Sequence, residues 1–398
     1  MDPDRLKPLA ELAVHGANVQ PGQTVIVSGD LEHAPLARAI AAAAYDRGAR
    51  FVDVGYFDPH VKRARVVHAD PQTIEFVPSW YGRRMVEHAD GRGARVTIAG
   101  PTVLGLLDDL DPELTGRDRL PFLPEVPRII SDRSTNWCIV PCPHPAWAKL
   151  VHPELSDADA LERLWAELEH VLRLDTDDPR RAWDERMDGL NASAARLTDR
   201  RFDALELRGE GTELRVGMLP SHRWVSADFV TQAGVRHFAN LPTEEVFTSP
   251  DPVRTEGHVT STKPLVLRDG SIISGLRVRF EGGRAVEISA DARADALRSL
   301  LAVDDGGLRL GEMALVDRAG RIGPLGTVFF DTLLDENAAS HLALGGGFSF
   351  VVDEDDVGRV NESGAHVDFM VGSPALEVDG ITATGERVPV LRHGDWQI

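Results

Sequence analysis

The texture of the chain changes near residue 200, and that change limits the folds open to it. Before that point each short apolar run is followed by a stretch of helical length. "TVIVSG" (24–29) reads as a strand, "APLARAIAAAAYDRG" (34–48) as an alanine-rich helix stopped by Gly48, and "RFVDVGYF" (50–57) as the next strand. "ARVTIAG" (94–100), "VPRIIS" (126–131) and "NWCIVPC" (136–142) read as further strands. Strands joined by crossovers of this length predict a parallel sheet covered by helices. Helices are expected over 156–174 and 179–197. Beyond them "RFDALELRGEGTELRVGML" (201–219) is two strands about a Gly-Glu-Gly turn, and 264–290 repeats the pattern with Asp-Gly and Gly-Gly turns. The expected fold is therefore α/β followed by α+β. Residues 1–200 form an N-terminal α/β domain with a mostly parallel sheet, and 201–398 a β-rich domain interrupted by one helix, "DENAASHLALGGG" (335–347).

Composition narrows the function. The 398 residues carry 43 Lys plus Arg against 63 Asp plus Glu, a net charge of −20. A surface so acidic repels phosphate, which argues against nucleic acid and anionic membranes as partners. The turn after the first strand, "SGDLEHAP", lacks a glycine-rich phosphate loop. No run approaches a membrane span and the start lacks the apolar core of a signal peptide, so a cytoplasmic location is expected. Cys138 and Cys142 have no second pair to complete a thiolate zinc site, and two reduced thiols are expected.

Several polar residues stand among apolar ones in the second half. Glu244 and Glu245 precede Val246 and Phe247; Glu312 lies inside "RLGEMALV"; His341 lies in "DENAASHLAL"; His366 and Asp368 share one face of "GAHVDFMVG". Each alone has a plain structural explanation. A histidine on an apolar face bonds a carbonyl, a strand glutamate pairs with an arginine, and Asp335 and Glu336 suit a helix N-terminus. Together they are harder to explain that way, because ionised carboxylates in apolar surroundings need a counter-charge or a metal. Carboxylate and imidazole donors suit Zn, Co, Mn or Fe, and His366 and Asp368, two apart in a strand, point the same way. H-E-x-x-H and G-x-S-x-G are both absent.

"NLPTEEVFTSPD", "STKPL", "LGEMALVD", "TLLDENAASHLALG" and "NESGAHVDFMVGSP", with "VQPGQTVIVSG" and "NWCIVPCPHPAWAKLVHPE" upstream, resemble the M29 metalloaminopeptidases, the aminopeptidase T group, over nearly the whole chain. The resemblance implies a homodimer with two divalent ions (Zn, Co, Mn or Mg) held by Glu245, Glu312, His341, His366 and Asp368. It implies that Glu245 or Glu312 bridges the ions or accepts a proton, and that the substrates are peptides with a free N-terminus. It also implies a tyrosine seven residues after His341, where this chain has Phe348. Losing a phenol that donates to an oxyanion costs on the order of 10²-fold in rate.

Two other readings compete with a dinuclear aminopeptidase. His341, His366 and Asp368 alone make a two-histidine, one-carboxylate set suited to one Fe(II) and a ring-cleaving dioxygenase, a class that resembles this family. Alternatively the metal site only steadies the domain, without catalysis.

Overall fold

The computed structural model describes residues 2–107, 109–118, 120–121, 123–267 and 271–398. The chain divides into two compact units: Met1–Asp184 with Ala227–Pro242, and Glu185–Ser226 with Thr243–Ile398.

The first unit is built on a four-stranded parallel sheet in the order Phe51–Phe57, Thr24–Asp30, Ala94–Ala99, Asn136–Pro141. Valines meet across it, Val25 against Val52 and Val27 against Val54. Helix Ala34–Asp46 ends in a turn where Gly48 takes φ +87°, a conformation glycine adopts without steric cost. Helix Asp157–Val171 is capped by Ser156, whose side chain accepts from the Asp159 N–H. Cys138 and Cys142 are both buried.

One expected strand is a helix. Residues Glu125–Ser131 are helical, and Leu123 and Ile129 are buried in a cluster with Ile26 and Met85 against which Val126 packs. A spacing of three is a helical face, and a run of six residues carries too little periodicity to separate it from a strand.

The second unit holds two larger sheets. One is an eight-stranded antiparallel sheet running from Arg284–Ser289 to Asp395–Trp396. It contains the expected hairpins: Ala204–Gly209 pairs with Thr212–Met218, and Arg277–Glu281 with Arg284–Ser289 across Gly282 and Gly283. The expected Asp269–Gly270 turn lies outside the described residues. The other is a four-stranded antiparallel sheet in the order His366–Met370, His341–Gly345, Leu310–Val316, Glu245–Thr248.

A second expectation fails in this sheet. The helix expected over 335–347 stops at Glu336, having started at Thr332 under an Asp331 cap, and His341–Gly345 is a strand. Alanine and leucine favour helix intrinsically, but here they fill a strand with a neighbour on each side, so tertiary pairing overrides propensity. Among the described residues no helix is long and apolar enough to cross a membrane.

Candidate metal centre

The register of the four-stranded sheet decides which side chains meet. Glu312 pairs with Ala343, which pairs with Asp368; Glu245 pairs with Val316 and His341 with Ala314. Directly paired residues share a face, as do residues two apart along a strand. Glu245, Glu312, His341, His366 and Asp368 therefore all occupy one face, around the small residues Ala314 and Ala343. The other face carries Val246, Met313, Leu315, Leu342, Leu344, Val367 and Phe369, all buried. A strand such as "HVDFM" is thus apolar on one side and a donor surface on the other.

A bulge sets this alignment. The ladder shifts between Leu310 and Glu312, and a Cβ on Gly311 would fall 2.2 Å from the Gly345 carbonyl oxygen. Gly345 itself takes φ +109°. Only glycine fits at either position, and the turn they shape presents the Gly346 carbonyl to His366.

The donors converge. His341 Nε2 lies 3.0 Å from Glu245 Oε2 and 3.9 Å from Glu312 Oε1. His366 Nε2 lies 3.3 Å from both Glu312 Oε2 and Asp368 Oδ1. The two oxygens of Glu312 thus face different imidazoles. Each imidazole binds a backbone carbonyl through Nδ1, His341 to Glu336 (2.9 Å) and His366 to Gly346 (2.8 Å). A carbonyl only accepts, so Nδ1 carries a proton and Nε2 faces the cluster.

The fit to a metal rests on two orphaned atoms. Glu245 Oε2 and Asp368 Oδ1 are buried without a hydrogen-bond donor, although an imidazole nitrogen lies close to each. Carboxylate and imidazole donors gathered this closely, with no thiolate among them, suit a divalent ion. Three sets of ligand atoms lie within 4.8 Å of one another: Glu245, Glu312 and His341; Glu312, His366 and Asp368; and Glu336, His341 and Asp368. Among the described residues none of these three sets contains both His341 and His366, though Asp368 joins each of them in a set.

The charges match. Burial alone would push the His341 and His366 imidazoles down, but Glu245 beside the first and Asp368 beside the second outweigh it and hold both well above the usual range. Burial, with Asp368 and Glu245 nearby, holds the Glu336 carboxyl well above its usual range, and burial raises Glu312. Burial would raise Asp368 too, but His366 outweighs it and holds that carboxyl low. Such a cluster gathers positive charge, as protons or as metal.

Sequence reasoning missed Glu336, which it assigned to a helix dipole. The available signal was its place five residues before His341 in "ENAASH". It also missed a supporting clamp. Glu244, fully buried, faces away from the cluster and pairs with Arg186 at 2.6 Å. Arg186 pairs as well with Asp317 at 3.0 Å, and Trp396 Nε1 donates to Asp317. The Asn337 side chain accepts from the Glu244 N–H at 2.6 Å. The backbones next to Glu245 and Glu336 are thereby tied together.

A carboxylate–imidazole cluster on one face of an antiparallel sheet is a donor set of the class that hydrolytic metalloproteins use. A family model described as thermophilic metalloprotease (M29) matches residues 2–396. Aminopeptidase T of Thermus aquaticus is 39% identical over 406 aligned positions, covering 99% of each chain. Aminopeptidase 2 of Geobacillus stearothermophilus is 37% identical, covering 97% of this chain and 96% of its own. The solved structure of wild-type AmpT from Thermus thermophilus matches with a TM-score of 0.91 at 38% identity over 99% of each chain. The chain belongs to the M29 family and is a metal-dependent aminopeptidase. The 2,5-dihydroxypyridine dioxygenase of Pseudomonas putida, at 13% identity and a TM-score of 0.54, shares the fold alone.

Proposed function

We propose that this enzyme removes N-terminal residues from peptides at a centre of two divalent ions, Zn, Co, Mn or Mg. Glu245 and His341 would hold one, His366 and Asp368 the other, with Glu312 between them. The observation that carries this reading is Glu312, whose two oxygens face different imidazoles, 3.9 Å from His341 and 3.3 Å from His366. When bound, ions here supply Lewis acidity, lowering the pKa of a water and polarising the scissile carbonyl.

The protein's own residues do the rest. The carbonyls of Glu336 and Gly346 fix both imidazoles with Nε2 toward the cluster. Glu336, grouped with His341 and Asp368 but in neither set containing Glu312, accepts the proton of the attacking water and passes it to the leaving amine. The acidic cluster also attracts the free α-amine of the substrate. Phe348 brings no hydroxyl, so oxyanion stabilisation falls to the remaining electrophiles.

We further propose a cytoplasmic homodimer that binds neither nucleic acid nor membrane, on the grounds of the family resemblance and the charge of −20. Removing metal with a chelator abolishes hydrolysis of aminoacyl substrates, and Co²⁺ or Zn²⁺ restores it. Metal-replete protein inactive on every aminoacyl substrate refutes the proposal.

A further inference from the structure

The donor cluster is closed on most sides. The side chains of His341, Glu245 and Glu312 are 1%, 8% and 7% exposed and that of Asp368 10%, whereas His366 keeps 29%. His366 is thus the most exposed of these five donors. Three packed phenyl rings lie beside it. Phe348 lies 5.6 Å from the His366 ring, tilted at 53°, and 5.4 Å from both Phe247 and Phe350. Phe247 meets Phe350 edge-on at 6.4 Å. Phe247 is anchored by register. Two residues after Glu245 and paired with Ala314, it lies on the donor face, and it is buried. Phe348 and Phe350 are half-buried and carry the surface outward. The Phe348 backbone is fixed by its N–H donating to Ser249 Oγ at 2.8 Å.

Three mutually packed rings without a polar atom, continuous with the open edge of a metal centre, form an apolar wall rather than a catalytic group. We propose that Phe247, Phe348 and Phe350 receive the side chain of the substrate's N-terminal residue and make the enzyme select large aliphatic and aromatic residues there. This inference rests on the aminopeptidase reading above. With the α-amine and scissile carbonyl held at the donor cluster, the side chain on the carbon between them is the part of the substrate nearest to His366, and so the part that meets Phe348. A charged side chain would lose its hydration against these rings, with no polar atom of theirs to replace it.

Tripeptides of the form X-Gly-Gly test this, because glycine after the scissile bond leaves X as the sole side chain. The holoenzyme is expected to cleave Leu-Gly-Gly and Phe-Gly-Gly with kcat/KM at least about tenfold above Ala-Gly-Gly, and Glu-Gly-Gly more slowly still. Phe350→Ala removes a half-buried ring of the wall that packs on both Phe247 and Phe348. It is expected to reduce the Leu-to-Ala ratio about tenfold, mostly through KM, whereas Phe350→Leu retains the preference. Metal content, measured on each variant, guards against misfolding. A wild type that cleaves no tripeptide overturns the aminopeptidase reading and this inference with it. An active wild type whose Leu-to-Ala ratio is unmoved by Phe350→Ala and Phe348→Leu overturns the aromatic wall alone.

Discussion

A phenyl ring packs but cannot donate, and Phe348 holds one 5.6 Å from His366. If the site lacks an oxyanion donor there, restoring a hydroxyl supplies one. Phe348→Tyr is expected to raise kcat by about 10- to 100-fold with KM little changed, measured by steady-state kinetics; an unchanged kcat means the existing electrophiles suffice. Glu336 carries the complementary prediction. Glu336→Gln keeps the shape and removes the base, so kcat is expected to fall by about 10²- to 10⁴-fold with metal content intact. Loss of metal with residual kcat preserved would make it a ligand instead. These two residues also mark the reach of sequence reading. That Glu245, Glu312, His341, His366 and Asp368 belong together was suggested by the sequence because each is a polar residue amid apolar neighbours, and burying such a residue has a cost that needs explaining. Glu336 was not, because an acid near Asp335 already has an adequate reason at a helix N-terminus.

At the scale of elements, the site depends on a clamp joining the helix Pro179–Arg200 to the strand Glu245–Thr248. Arg186, 11% exposed, answers both Glu244 and Asp317. Removing it takes the guanidinium away from the fully buried Glu244 and from Asp317, and breaking such a pair costs about 3–5 kcal/mol. Arg186→Met is expected to lower urea stability by that order and to weaken metal binding about 10- to 100-fold, because the strand bearing Glu245 is no longer held. Adding Glu244→Gln should recover part of the stability; a double variant as unstable as the single one contradicts the ion-pair account. Element type was legible where turn chemistry marked it, as at the Gly-Glu-Gly hairpin of 209–211. It was not legible in 126–131, where six residues fit either period, nor in 335–347, where alanines favour helix and only strand partners far along the chain decide otherwise.

For the molecule as a whole, the coarse division into a parallel-sheet unit and an antiparallel one followed from local periodicity, while the donor cluster required the register of strands up to about 120 residues apart. The first unit also carries a pH dependence of its own. His33 and His237 are each 1% exposed, and burial pushes both imidazoles down to about 4, with His144 adding to the effect on His33 and Asp228 opposing it on His237. Below pH ~6.5 the unfolded chain takes up protons that these folded histidines refuse, so stability is full above that pH and falls as pH drops toward about 4. Urea melts between pH 7 and 5 should show a loss on the order of 2 kcal/mol per histidine, and His237→Phe should flatten the slope. A wild-type slope unchanged by that variant contradicts it. The central claim concerns the other unit, that Glu312 lies between two ions. Elemental analysis of the purified protein, titrated with Zn²⁺ or Co²⁺ and freed of excess, tests it most directly. The account predicts two divalent ions per chain, falling to one or none in Glu312→Ala; one ion per chain at saturation, or iron alone, would contradict it.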